Sequence, residues 1–368
     1  MDKKKIAQIV RSPAGGIRKH IVTIIENLED DFEFILITDE AEADQHYKEF
    51  KKNTRIKIFN LDINDKPGFS DIFNIIKVYK ILYMEKVDIV HGHGAKGGLY
   101  ARVSGWLNSN KILYTAHGGS LHSMHGYLKN KLYILIEKFL YSFTDILIFE
   151  SKYSMDSYHS NIYSKNEKFK LNYNGVEIPE DADHYKHKKI SLDDVIIIGA
   201  FGLLRKIKGH DLLVRICSKL KEDNYNIELR IFGNGEEKEN LINLSKSLGF
   251  ESNLKIFDHC DNIKDEFRDC HVVAHPSYFE SYGYVPVEAM SFGVPVIFSY
   301  VGGLREVSNL TDNKHVFMIE DENDFFFKLK RLIESKKLSQ ESVKYINNIK
   351  KHLSEDAFIE KIKIIYRY

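Results

Sequence analysis

Short runs of apolar and β-branched residues alternate along this chain with longer amphipathic stretches, and that rhythm restricts the fold more than any other feature. The runs are KIAQIV (5–10), FEFILIT (32–38), RIKIF (55–59), VDIVHGH (87–93), ILYTAH (112–117) and ILIFES (146–151). Strand and helix alternating in this way predict a parallel sheet wrapped by helices. The rhythm stops in EIPEDADHYKHKKISLDD (177–194), where Pro179, many charges and little apolar surface read as a linker. It restarts with DVIIIGAFG (194–202), IELRIFG (227–233), LKIFDH (254–259), CHVVAHPS (270–277) and PVIFS (295–299). The expected architecture is therefore α/β, with two doubly wound domains at 1–176 and 177–353. Two such domains facing each other would leave a cleft at their shared strand ends, where open sheets bind ligands. The last segment, SEDAFIEKIKIIYRY (354–368), opens at an N-cap-like Ser354 and has helical spacing, so it reads as a closing helix able to pack back on the first domain.

A chain of 368 residues is comfortable for two cores, and 43% hydrophobic with 29% charged residues is globular composition. Lysine plus arginine equals aspartate plus glutamate at 53 each, so no global field draws the protein to nucleic acid or to an anionic membrane, and any such attraction must be local. Cys217, Cys260 and Cys270 are too few and too scattered for a disulfide framework, which points to a reducing, cytoplasmic compartment. The apolar run of MDKKKIAQIV is broken by Gln8 and Arg11 and is too short for a signal peptide or a membrane span.

The chemistry concentrates in HPSYFESYGYVPVEAMSFGVPVIFSYVGGLREV (275–307). This segment begins as a loop and becomes a helix around Pro286, so Glu280 belongs to the loop and Glu288 stands about one turn into the helix. Between them, the backbone N–H groups near Tyr282 to Val285 lack intrahelical acceptors and carry the positive end of the helix dipole. That is a ready anion site for a diphosphate. Carboxylates flanking it suit a nucleotide sugar, whose sugar and ribose carry vicinal hydroxyls that donate to carboxylates. Two glutamates alone could equally be a loop charge and a first-turn helix residue; the surrounding Pro and Gly pattern tips the balance.

Residues 275–306 resemble the E-x7-E signature of the family 4 retaining glycosyltransferases, whose GT-B fold consists of two facing Rossmann-like domains. HPS stands before the motif, FES and VPVEAM within it, FGVPVI after it, and VGGLREV closes it. The resemblance implies a C-terminal domain that binds the nucleotide sugar and an N-terminal domain on the acceptor side. It implies that Glu280 contacts hydroxyls of the donor sugar and Glu288 the ribose, while Ser281, Tyr282, Gly283, Tyr284 and Val285 offer backbone donors to the diphosphate. Ser281 with Tyr282 departs from the family's usual Gly and Phe.

GAFGLLRKIKGHDLLV (199–214) is similar to the family's strand end, basic loop and helix. Lys208 matches the diphosphate-binding lysine, where a fixed cation would stabilise the departing nucleotide diphosphate. Leu203 stands at the family's arginine position, and Arg205 is the nearest replacement. SPAGGIRKHIVTIIENL (12–28) puts Gly15 and Gly16 in a strand-to-helix turn that lets backbone approach a ligand. Its resemblance to the family's N-terminal glycine loop implies that Gly16 lies beside the donor diphosphate. YTAHGGS (114–120) resembles the family's strand-end histidine, which implies that His117 faces the donor sugar. In DIVHGHGAKGGLYAR (88–102), His93 and Lys96 are expected to shape the acceptor side. Residues 254–262 resemble the nucleobase loop, with Asp258 where glycine is usual.

Metal readings are weak. His91, His93 and His117 offer the commonest ligand type, but no carboxylate or cysteine recurs at ligand-like spacing. HCDNIKDEFRDCH (259–271) pairs His259 with Cys260 and Cys270 with His271, and adjacent residues point apart. The D-x-D triplet at Asp181 and Asp183 falls in the linker, and FGNGEEKENL (232–241) lacks the third glycine of a dinucleotide fingerprint. The expectation is a metal-independent enzyme with no cofactor, using a nucleotide-sugar co-substrate, with UDP-sugars first among donors.

The function expected is transfer of a hexose or N-acetylhexosamine to a glycan or lipid-linked glycan with retention of anomeric configuration, in cell-surface polysaccharide biosynthesis. Glu280, Lys208 and His117 form the expected catalytic set. A nucleotide-sugar epimerase of the same fold would need an acid and base pair and no acceptor. A catalytically silent sugar-nucleotide binder is the third reading, and the intact Glu280, Glu288 and Lys208 set argues against it. SMHGYLKNKLYILIEKFLYSF (123–143) mixes lysines, aromatics and an apolar stripe, which suits a core-facing helix first and one lying on a membrane second. The second alternative would accompany a lipid-linked acceptor and peripheral contact with the inner face of the cell membrane. No nucleic-acid partner is expected.

Overall fold

The computed structural model describes residues 3–118, 127–162, 167–182, 194–258, 260, 262–335 and 337–368. The chain forms two compact units, one of Met1–Asn174 with Phe358–Tyr368, the other of Gly175–Ala357. Each is built on one parallel sheet.

In the first unit the strands are β1 (Lys5–Val10), β2 (Glu33–Thr38), β3 (Lys57–Asn60), β4 (Ile89–His93), β5 (Lys111–Thr115), β6 (Ile146–Phe149) and β7 (Phe169–Leu171). Their order across the sheet is β3-β2-β1-β4-β5-β6-β7, all parallel. Ile6, Ala7, Ile9 and Val10 of β1 are buried, as a strand covered on both faces requires. The chain order reverses between β1 and β4, so the loops leaving these strands open into the crevice where such sheets bind ligands. Helix α1 (Gly15–Leu28) follows β1, α2 (Gln45–Asn53) follows β2, α3 (Ser70–Met84) follows β3, and α4 (Gly94–Leu107) follows β4. Helices α5 (Tyr127–Tyr141) and α6 (Lys152–Asn161) complete this unit's crossovers.

The second unit has strands β8 (Ile196–Phe201), β9 (Ile227–Phe232), β10 (Leu254–Phe257), β11 (Val272–His275), β12 (Val296–Ser299) and β13 (Val316–Phe317), in the order β10-β9-β8-β11-β12-β13. Its switch point lies between β8 and β11, which sends residues 202–209 and 276–283 out of the same edge. Helices α7 (His210–Glu222), α8 (Lys238–Ser247), α9 (Ile263–Asp269), α10 (Tyr284–Ser291), α11 (Leu304–Thr311), α12 (Glu322–Ile333) and α13 (Leu338–His352) wrap it.

The final helix, α14 (Glu355–Arg367), starts in the second unit and finishes in the first. Ser354 Oγ accepts from the Ala357 N–H at 3.4 Å. Phe358, Ile359, Ile362, Ile365 and Tyr366 join Ile21, Ile24, Ile25 and Leu28 of α1 in one core. Each such buried side chain contributes about 1.5–3 kcal/mol, so this helix is a structural part of the first unit.

Much of the expected linker (183–193), including Asp183 of the D-x-D triplet, lies outside the described residues, as do Gly119, Ser120 and residues 123–126. Asp181 is held by the Arg268 guanidinium.

Candidate functional site

At the end of β8 the chain turns through Leu203, which is exposed, and Arg205 into a short 3-10 turn, Lys206–Lys208. Gly209 follows at φ 65°, and a Cβ built there would stand 2.1 Å from the Pro276 carbonyl oxygen. Only glycine permits both the left-handed backbone and that approach. The Tyr278 N–H donates to the Ile207 carbonyl at 2.8 Å, so the two switch-point loops are tied together.

This juxtaposition brings Lys208 against Glu280. The carboxylate is 13% exposed and the lysine side chain 25%. His275 Nε2 lies 2.8 Å from Glu280 Oε1, and Ser277 Oγ donates to the same oxygen at 3.1 Å. No donor among the described residues reaches Oε2. Burial would raise the Glu280 pKa, but the Lys208 charge and the His275 hydrogen bond outweigh it and hold the carboxyl far below its ordinary value. His275 is pushed down by burial, against the pull of Glu280. Glu280 is thus an ionised carboxylate with one oxygen committed to protein donors.

Three residues on, Gly283 takes φ 101° and starts α10. Tyr284 and Val285 occupy the first turn, where N–H groups have no intrahelical acceptor, and Pro286 occupies a position whose missing N–H costs nothing. The helix start has no side-chain cap and no acidic residue in its first turn, so its dipole is uncompensated. The Gly303 N–H donates to the Glu280 carbonyl at 2.9 Å and fixes the loop from the other side. Ser281 is half-buried, Tyr282 is buried beside Tyr284, and Glu288 is half-buried one turn into α10. Lys208, Glu280, the 281–285 backbone and Glu288 therefore share one loop-and-helix arrangement. Arg205 is exposed on the neighbouring loop and makes no ion pair with a described residue.

Nothing in the sequence alone singles out His275 and Ser277 as partners of Glu280. Their signal was the HPS triplet just upstream of Glu280, whose contacts depend on how the loop folds back.

The first unit holds a second polar cluster. His91 and His93 end β4, and His117 follows β5 at φ 49°, a left-handed conformation uncommon for a residue with a side chain. His93 Nδ1 lies 3.0 Å from His117 Nε2, and His93 Nε2 lies 2.7 Å from Gln8 Oε1. Gln8 donates to the Tyr366 hydroxyl at 2.8 Å, which also meets His91 Nδ1 at 2.8 Å. His20 of α1 faces the same group, with Nδ1 on Asn174 Oδ1 at 2.7 Å and Nε2 buried without a hydrogen-bond partner. Burial pushes the His20 pKa down to about 4 and those of His91, His93 and His117 well below the usual value, so all four are neutral at pH 7. Ligand atoms of His20, His93 and His117 lie within 4.8 Å of one another. Spacing in the sequence concealed this trio because His20 comes from a different element. By donor type the three could hold a transition metal, yet His93 and His117 are already bonded to each other.

Gly15 and Gly16 are exposed at the start of α1, and the Gly15 N–H donates to Asp44 at 2.8 Å. Lys96 is committed to Asp71 at 2.6 Å in a nearly buried ion pair that ties α4 to α3. In the 259–271 segment, His259 lies outside the described residues, Cys270 donates to the Glu266 carbonyl at 3.1 Å, and His271 accepts from the Ile197 N–H at 3.0 Å. Each of these last two side chains is occupied locally. Asp258 pairs with Lys238 at 2.6 Å.

Residues 181–352 match the family profile of glycosyl transferases group 1, and residues 14–179 match that of glycosyltransferase family 4. The capsular polysaccharide biosynthesis glycosyltransferase CapM of Staphylococcus aureus is 25% identical over 292 residues, 74% of each chain. An N-acetylgalactosaminyltransferase of Campylobacter jejuni, whose name specifies a diphospho-undecaprenol-linked substrate, is 28% identical over 58% of each chain. Among solved structures, Anabaena HepE in complex with UDP and glucose superposes with a TM-score of 0.82 over 99% of both chains at 18% identity.

Proposed function

Because the chain belongs to the family 4 glycosyltransferases and has the GT-B fold, we propose that it transfers a hexose or N-acetylhexosamine from a UDP-sugar to a glycan or lipid-linked glycan, with retention, in cell-surface polysaccharide biosynthesis. The observation that carries this reading is the ionised Glu280, held by Lys208, His275 and Ser277 beside the uncapped start of α10.

In this reading Glu280 Oε2 accepts hydroxyls of the donor sugar and Glu288 those of the ribose. The diphosphate lies on the first-turn amides near 282–285, with Lys208 and Arg205 as its cations. As the anomeric carbon–oxygen bond breaks, negative charge grows on the phosphate, and Lys208 and the helix dipole stabilise it. The acceptor hydroxyl forms its bond to the anomeric carbon on the same face and gives its proton to the departing phosphate oxygen. Glu280, already ionised and bound by three donors, serves as an anchor. In the first unit, His117, a neutral imidazole, and His93 are the candidate residues for sugar and acceptor contacts.

Relatives named for UDP complexes, capsule biosynthesis and a lipid-diphosphate substrate support the donor and acceptor classes. Cys217, Cys260 and Cys270, too few and too scattered for a disulfide framework, support a reducing, cytoplasmic compartment. The test is incubation of the purified protein with UDP-sugars and a panel of glycans headed by lipid diphosphates, with the product anomer read by NMR. A product of the donor's own anomeric configuration supports the proposal; an inverted product, or an epimerised donor with no transfer, refutes it.

A further inference from the structure

We propose that the outer faces of three neighbouring helices in the first unit, α3, α4 and α5, form a docking surface for an anionic lipid bilayer. This deepens the reading of a lipid-linked acceptor and rests on it.

The three helices lie side by side. Ser104 Oγ of α4 donates to the Ile75 carbonyl of α3 at 2.9 Å, and Asn108 Nδ2 donates to the Tyr79 carbonyl at 3.0 Å. At its other flank α4 packs on α5, and the Trp106 ring lies 5.0 Å from that of Phe143, just past the end of α5.

A helix on a water-facing surface should turn its polar side outward. These do not. On α3 the exposed stripe is Phe69, Ile72, Phe73, Ile76, Tyr83 and Met84, with Phe69 86% exposed. Trp106 and Leu107 extend it at the end of α4, and Leu132, Leu135, Ile136 and Phe139 continue it on α5. Single exposed apolar residues are ordinary, but stripes on adjacent helices mark an interaction surface.

Charge decides what covers it. Across Ser70–Met84, Gly94–Leu107 and Tyr127–Tyr141 the only acidic residues are Asp71 and Glu137. Both are buried and paired inward, with Lys96 at 2.6 Å and Arg102 at 2.8 Å. Among the described side chains the outward charges are Lys77, Lys80, Lys131 and Lys138, all exposed. A chain with no net charge thus presents a face of bulky apolar side chains and lysines with no exposed carboxylate in these helices. Apolar side chains enter the headgroup boundary while lysines meet anionic lipid, and an indole is well suited to that depth.

Trp106 is the chain's one tryptophan, so its fluorescence reports on this surface directly. The experiment mixes the full-length protein with vesicles of phosphatidylcholine alone or with phosphatidylglycerol, following Trp106 emission and co-flotation. The expected result is a blue shift and flotation with the anionic vesicles, reversed by salt and weak with the neutral ones. Replacing Lys77, Lys80 and Lys138 together by alanine should lower binding roughly a hundred-fold, at about five-fold per lysine. Phe73→Ser with Phe139→Ser should abolish the blue shift. All these side chains are exposed, so both variants should melt like the wild type and keep any stabilisation by UDP-sugars, which separates failure here from failure of the donor site. Equal binding to both vesicle types, no binding, or a lipid-free dimer that the phenylalanine variant dissolves would overturn the proposal.

Discussion

The Lys208 ammonium meets the Glu280 carboxylate although 72 positions separate them in the chain. The two residues leave different strands of one sheet and converge because β8 and β11 flank its switch point. Removing the cation leaves a largely buried carboxylate with only His275 and Ser277. Lys208→Ala is therefore expected to lower kcat by roughly 10²–10³, the scale of losing one charge-stabilising donor, and to destabilise the fold by about 1–3 kcal/mol. Steady-state kinetics and urea titration measure the two effects separately.

Stability should fall in acid in two stages. His20 has a folded pKa near 4 against 6.5 for the free side chain, and His91, His93 and His117 are also depressed. Below pH 6.5 the unfolded chain binds protons that the folded chain does not, so stability drops as pH falls, by about 1.4 kcal/mol per pH unit for each proton. Glu280 adds a second loss at lower pH, because its depressed folded pKa stabilises the fold above the ordinary carboxylate range and that contribution disappears as pH falls toward the folded value. Urea titrations of wild type and His20→Gln at pH 7 and pH 5 check the first stage; the variant should lose less stability between them.

Gly209→Ala should damage the site without touching a charged group. The new Cβ requires a left-handed backbone and collides with the Pro276 carbonyl, a cost of about 1–3 kcal/mol. Relief of that clash moves Lys208 away from Glu280. The expected result is a lower Tm together with weaker donor binding, whereas Ala at Gly249, where a Cβ meets nothing within 4 Å, should lower Tm alone.

Tyr366→Phe removes one hydroxyl from the last helix. Gln8 and His91 are both fully buried and both bond to it, so the variant should lose about 1–3 kcal/mol by leaving polar atoms unpaired. Differential denaturation in urea measures it.

The strands were legible because buried parallel strands demand β-branched, apolar runs, and all of the longer ones stand close to where those runs fall. β7 and β13 were not, since three and two residues are too few to show a period. Glu280, Glu288 and Lys208 stood out through a dense local motif. The His275 and Ser277 contacts to Glu280 and the cluster of His20, His91, His93 and His117 did not, because they arise when separate loops and helices meet. The acidic partners of Lys96 and Arg102 were equally hidden, and with them the absence of outward carboxylates on α3, α4 and α5.

The most direct test of the donor site is thermal denaturation of the protein in EDTA against UDP-, GDP- and dTDP-sugars, for wild type, Glu280→Gln and Glu288→Ala. A ligand that binds only the folded state raises its Tm. The account predicts a rise with the UDP series that Glu288→Ala loses and Glu280→Gln weakens. No rise with any donor, or a rise that Glu288→Ala retains in full, would contradict it.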